Sequence, residues 1–436
     1  MSHFHFLNKV QPKHVEELQC GENTAAVLLK KRTISVQESP MPILQPDGVL
    51  VKVISTGTSF SLATRSCICG SDMHNYLSGG VGGRPMKEAI IPGHESAGEV
   101  IAVGELVTSH KVGDRVAVEP GLPCRRCINC KNGRSNICLD MRYCGAPGSV
   151  GSLSKYFALP ADMAPKIPDK ISWDEAGSIQ PLAIGVQIGK RVDLRAHQTI
   201  AIFGCGPIGL ITAAVAHAYS ASKIIAFDIN PDRVAFAKKY ISPLTGKPII
   251  DHVFLNKVVP TSAPDDKDTG LASKIGENGS GAGVGDGEVD DHHDEVSVAD
   301  RKWEAATKMA AQYLKEAGLE EDEGVDRVIE ATGTEDCSML GVAIAKQGGI
   351  MLAVGLGHHQ TLAIPTIAIT NKELDFRGVT RYTPSCFPSA IEMLNRGVVD
   401  LKQLITIKFP LSQAQDAFEA VASGKHMKVL IKNQEM

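Results

Sequence analysis

The sequence predicts an α/β protein of two domains, one β-rich and carrying metal ligands, the other a doubly wound parallel sheet. Three observations predict it. A short apolar run over residues 199–203 feeds Gly204-Cys205-Gly206-Pro207-Ile208-Gly209, followed by a helical pattern to residue 218 and a second apolar strand ending at Asp228; that order of strand, glycine turn, helix and acid is a dinucleotide-binding pattern. Cys124, Cys127, Cys130 and Cys138 recur at metal-ligand spacing in a polar stretch. The 436 residues exceed one average domain and supply two cores.

Composition removes several classes of function. A net charge of −4 leaves no basic footprint for nucleic acid or an anionic membrane. No continuous apolar run reaches the length of a membrane span, and Met1-Ser2-His3-Phe4-His5-Phe6 lacks the basic start and apolar core of a secretory signal. The 11 cysteines cluster as metal thiolates do in a reducing compartment, so a cytoplasmic protein is expected.

Taken in order, residues 1–24 are polar and aperiodic and read as an arm. Residues 25–34 and 49–54 alternate as strands of an antiparallel or barrel-like sheet. Residues 58–66 lengthen the loop that leads to Cys67-Ile68-Cys69-Gly70-Ser71-Asp72-Met73-His74, and about 25 residues later comes Pro92-Gly93-His94-Glu95. The thiolate of Cys69, the imidazole of His94 and the carboxylate of Glu95 suit Zn²⁺, and three protein ligands leave a fourth position open, as a catalytic ion needs. Cys67 is the alternative thiolate. Asp72 is placed to orient His94 through its second ring nitrogen, the alternative being a simple Asx turn. Ser71 and His74 lie on the same loop, where a hydroxyl and an imidazole relay a proton to solvent; capping a turn is the plainer role for Ser71. Residues 112–118 form a turn and strand, after which the four cysteines close a tetrahedral, structural Zn site with no open position; a redox pair and an iron–sulfur cluster are the other readings of such thiols.

In the second domain, Gly204, Gly206, Ile208 and Gly209 form the turn that brings backbone N–H groups to a pyrophosphate at a helix N-terminus. Asp228 accepts from the ribose hydroxyls and repels a 2′-phosphate, which selects NAD over NADP, with Arg233 close by as a softening cation. Residues 261–300, crowded with acids and glycine, read as a disordered insert. A helix is expected over 303–317, and strands over 325–330 and 348–357. The last of these brings Val354 and Leu356 to the nicotinamide.

Cys-Gly-Ser-Asp-x-His followed by Gly-His-Glu-x-x-Gly resembles the zinc-dependent medium-chain alcohol dehydrogenase family, and the later residues resemble its polyol branch, the sorbitol, xylitol and L-iditol dehydrogenases. The likeness runs from about residue 45 to the C-terminus. It implies a discontinuous GroES-like catalytic domain of residues 25–183 and 381–436, with a structural zinc lobe over 120–140, around a Rossmann domain of residues 184–380. It implies that Ser71 and His74 form the proton relay, that Glu95 ligates the catalytic zinc, and that Arg381 and Tyr382 bind substrate hydroxyls. On residue type alone Arg381 and Tyr382 also fit a strand end with a surface cation and a packing aromatic. Gln180 stands where many polyol dehydrogenases have a glutamate that contacts the zinc-bound water; an amide cannot ionise but still hydrogen-bonds water. The expected activity is reversible oxidation of a polyol to its ketose by hydride transfer to NAD, in a homo-oligomer. A zinc dehydrogenase for a butanediol- or threonine-type alcohol and a non-catalytic NAD(H)-binding regulator are the alternatives.

Overall fold

The computed structural model describes residues 22–59, 61–63, 67–69, 71–81, 84–256, 297–321, 323–357 and 361–434, without the side chains of residues 59, 61–63, 67–69, 71, 81 and 84. Most of the arm and the acidic insert lie outside these residues.

Two six-stranded sheets organise the described chain. In the first, Gly48–Ser59 is central: it pairs antiparallel with Ser96–Val103, with Lys428–Lys432 and with Tyr156–Pro160, while Ile405–Pro410 and Arg115–Ala117 extend the edges. The alternating Val49, Val51 and Val53 are fully buried against Val100, Val116 and Phe157, the half-buried face that β-branched residues favour. The C-terminal strand thus closes a sheet begun nearly 400 residues earlier.

The second sheet is wholly parallel. Its strands run in the order His252–Leu255, Lys223–Asp228, Thr199–Phe203, Val325–Glu330, Ala345–Ala353, Asp375–Gly378. In chain order that is 3-2-1-4-5-6, with the order reversing beside Thr199–Phe203, where such sheets bind dinucleotides. Its two adjacent strands Thr199–Phe203 and Lys223–Asp228 are mostly apolar and buried, as cover by helices on both faces requires. Pro207–Ala218 packs Leu210, Ile211 and Ala214 into one core, and Val298–Glu316 places Ala306, Ala310 and Leu314 in the other.

Four expectations are corrected. Residues 25–34 are not one strand but a hairpin, Thr24–Lys30 and Thr33–Glu38, turning at Arg32, whose φ is +55°; the alternation runs through a turn too short to interrupt it. Residues 58–66 are not simply a lengthened loop: Gly48–Ser59 continues to Ser59, and Ser61–Ala63 pairs antiparallel with Cys67–Cys69. Ser71 and His74 stand on a helix, Ser71–Ser78, rather than a loop. Met73 and Tyr76 bury one face of that helix against Phe418, and Asp72 supplies the acid that favours its first turn. The helix expected at 303–317 starts earlier, at Val298, because the Ser297 hydroxyl accepts from Asp300 N–H and caps it.

Candidate active site and metal centre

The cysteine lobe is built locally. The turn from Cys124 into the short helix Ile128–Lys131, followed by the bend at Ser135–Ile137, brings one sulfur of each of Cys124, Cys127, Cys130 and Cys138 within 4.8 Å of the others. Backbone N–H groups point at these sulfurs: Cys124 N–H donates to Cys138 Sγ at 3.2 Å, Cys127 N–H to Cys124 Sγ at 3.3 Å and Asp140 N–H to Cys138 Sγ at 3.4 Å. Such donors stabilise thiolates, and backbone N–H groups pull Cys127 down to about 6. Four converging sulfurs with amide donors behind them fit a closed Zn–S₄ site.

The second centre draws on distant segments. His94 follows Gly93, whose N–H donates to Asp72 Oδ2 at 3.0 Å, and His94 Nδ1 lies 3.0 Å from the same oxygen. Burial alone lowers the imidazole, but the Asp72 carboxylate outweighs it and the net shift is upward. This contact leaves Nε2 as the nitrogen for a metal, the arrangement that ligating histidines adopt. Glu95 is buried beside it, and its Oε2 meets the ammonium of Lys428, itself 1% exposed. Gly57 permits that meeting: a Cβ there would sit 2.8 Å from Glu95 Oε2 and 2.9 Å from Lys428 Nζ. The carboxylate therefore comes to any metal already balanced by a cation. The Cys69 side chain lies outside the described residues, as does the choice between it and Cys67; the same holds for Ser71. His74 is half-buried on the helix that begins at Ser71.

Gln180 lies in the first turn of the helix Ile179–Arg191 and is buried; its Nε2 donates to the Tyr143 hydroxyl at 2.9 Å. The Tyr143 ring is 5.7 Å from that of His94, and the Arg381 guanidinium lies 5.5 Å from its centroid. Arg381 has φ +51° and donates from Nη1 to Asn136 O at 3.0 Å, while Tyr382 is buried edge-on to Phe387. Burial, with Tyr143 and Glu119 nearby, drives the Tyr382 hydroxyl well above its ordinary value. Two members of this cluster escaped the sequence reading. Lys428 opens a short apolar strand, Lys428–Lys432, and belongs to no motif. Tyr143 follows the cysteine lobe by five residues and belongs to no motif.

In the parallel-sheet domain Gly204 has φ +102°, and Gly206 caps the helix Pro207–Ala218. A Cβ on Gly209 would fall 1.8 Å from Gly204 O, so glycine there allows the helix to pack closely on the turn. Ile208 packs against the core. Asp228 ends its strand, accepts from Cys205 N–H and Asn230 N–H, each at 2.8 Å, and lies 4.0 Å from Arg233 Nη1. The glycine turn beside a buried acid at the switch point fits a dinucleotide. Val354 donates its N–H to Glu330 O at 2.8 Å, and Leu356 is exposed.

Residues 45–169 match the alcohol dehydrogenase GroES-like domain. "Probable D-xylulose reductase A" of Aspergillus terreus is 33% identical over 416 residues, 95% of this chain and 99% of that protein. D-xylulose reductase A of Aspergillus niger is 34% identical over 412 residues, 94% of this chain and 97% of that protein. Among solved structures, an Escherichia coli oxidoreductase/dehydrogenase of unknown specificity superposes with a TM-score of 0.73 at 26% identity, covering 95% of this chain and 100% of that one.

Proposed function

We propose that this chain, which belongs to the polyol branch of the zinc-dependent medium-chain alcohol dehydrogenase family, reversibly oxidises a polyol of the xylitol, sorbitol or L-iditol type to its ketose with NAD. The observation that carries the reading is the meeting at Tyr143 of His94, from the first sheet's domain, with Gln180 and with Arg381, which follows the last strand of the parallel sheet. Zn²⁺, when bound, supplies Lewis-acid activation of the substrate hydroxyl, and NAD⁺ accepts the hydride.

The remaining work falls to the chain. Cys69, His94 and Glu95 hold the catalytic ion, with Asp72 fixing the imidazole and Lys428 balancing the carboxylate. Ser71 takes the substrate proton and His74 passes it outward. Gln180 uses its N–H to bond Tyr143, so its carbonyl oxygen is the atom left to accept from a substrate or water hydroxyl. Arg381 and Tyr382 bind further hydroxyls. Gly204, Gly206, Ile208 and Gly209 cradle the pyrophosphate, Asp228 with Arg233 beside it takes the ribose, and Val354 and Leu356 border the nicotinamide. Cys124, Cys127, Cys130 and Cys138 hold a second, structural zinc. Domain limits of 25–183 with 381–436, and 184–380 between them, accord with the two sheets. Among the described residues no helix is long and apolar enough to cross a membrane, and we assign the protein to the cytoplasm as a dimer or tetramer.

Initial rates on xylitol, sorbitol, 2,3-butanediol and threonine with NAD⁺ and with NADP⁺ test this. Turnover of a polyol with NAD⁺ above the diol and the amino acid is the expected result. Turnover of the diol or threonine alone, or NADP⁺ preferred, contradicts it.

A further inference from the structure

A cavity of about 380 Å³ opens between the cysteine lobe and the segment that carries Arg381. Tyr143 lines it together with Glu119, Asn136, Arg381 and Tyr382. Because Tyr143 also touches His94 and Gln180, it is the wall the cavity shares with the reaction centre. Asn136 Oδ1, on a lining residue, is buried with no hydrogen-bond partner, and the buried Tyr382 hydroxyl has only the Tyr143 hydroxyl beside it. An orphaned buried polar atom costs about 1–3 kcal/mol, and one on a residue that lines a cavity, beside a hydroxyl with spare capacity, points to a ligand that bonds both.

The charges decide what kind. Arg381 disfavours a cation, and with Nη1 given to Asn136 O at 3.0 Å it offers an anion fewer donors. Asp162 is already paired with Arg125 at 2.7 Å. What remains is a neutral molecule rich in hydroxyls, donating to Asn136 Oδ1 and exchanging hydrogen bonds with Tyr382 and Glu119, its carbon skeleton against Met141 and Pro384. The volume lies at the small end of ligand pockets.

We infer that this cavity is a distal subsite, in which Glu119 and Asn136 join Tyr382 to receive the hydroxyls of the polyol remote from the carbon being oxidised. The inference rests on the polyol reading above and adds to it a selector for chain length, since a short diol does not extend past Tyr143. Burial, with Asp162 next to it, pushes Glu119 up to about 8, consistent with a carboxyl that donates as well as accepts.

The test compares wild-type holoenzyme with Glu119→Ala and Glu119→Gln on xylitol and 2,3-butanediol. Removing a hydrogen bond made alike in ground and transition states raises KM and spares kcat. Glu119→Ala is expected to raise KM for xylitol about tenfold with little change in kcat, to lower the xylitol-to-butanediol ratio of kcat/KM by the same factor, and to recover much of it as Glu119→Gln. Met141→Trp, which narrows the cavity without touching a polar atom, is expected to shift the ratio the same way and serves if Glu119→Ala does not fold. A parallel fall on both substrates, or no fall on xylitol, overturns the subsite alone. A wild type that turns over no polyol overturns the polyol reading and this inference with it.

Discussion

The two metal centres are built in opposite ways. The cysteine lobe takes its four donors from one stretch, Cys124 to Cys138, and its geometry follows from a turn and a short helix. The reaction centre takes Asp72, His94, Tyr143, Gln180, Arg381 and Lys428 from segments spread over most of the chain, and holds them by contacts between elements. We propose that the lobe's order depends on a metal and that the reaction centre's depends on the packing of both sheets. Perturbations should separate them.

The largest effect belongs to the lobe. Cys127→Ser removes a ligand whose site has little apolar content to fall back on. Structural zinc supplies on the order of 10 kcal/mol of apparent binding free energy to such units. Zinc content should fall and the thermal midpoint should drop steeply; unchanged zinc would show that these sulfurs hold no ion.

Next comes the buried pair across the closing strand. Lys428→Met leaves the Glu95 carboxylate buried without this cation, at a cost of about 3–5 kcal/mol. Denaturant unfolding measures it, and a variant as stable as the wild type would mean that Glu95 is not held by Lys428.

Glu119 provides a pH signature. Its folded-state value of about 8 lies above its ordinary 4.5, so between those values the folded protein binds the extra proton. Stability from this group is then greatest at low pH and declines by up to about 1.4 kcal/mol per pH unit as pH rises through that window. Glu119→Gln abolishes the decline, so unfolding midpoints at pH 5 and pH 8 should differ less than in the wild type. An equal difference in both proteins would remove Glu119 as the cause.

The smallest effect is at Tyr143. Tyr143→Phe deletes one hydrogen bond to Gln180 and keeps the ring, for a loss of about 0.5–1.5 kcal/mol. Read as kcat/KM for a polyol, the loss should vanish in a Gln180→Ala background, where the partner is already gone; additive losses would show that the two act separately.

This contrast also explains what could be read in advance. Cys124, Cys127, Cys130 and Cys138, and the turn from Gly204 to Gly209, are local: spacing alone specifies which atoms meet. Asp72 beside His94 was legible because ligating histidines need such a partner. Lys428 and Tyr143 were not, because each acquires its role only when a strand more than 300 residues away, or a neighbouring loop, folds against it. Ser71 and His74 were misplaced on a loop because the eight residues of their helix, Ser71–Ser78, are stabilised by packing against Phe418 rather than by their own periodicity.

The most direct measurement is NADH formation from NAD⁺ and xylitol, followed on protein whose zinc content is assayed before and after mild chelation. The account predicts polyol-dependent NADH formation that is lost when the zinc outside the four-cysteine lobe leaves and restored when zinc returns, with the lobe's zinc still in place. Full activity after all zinc is removed would contradict it.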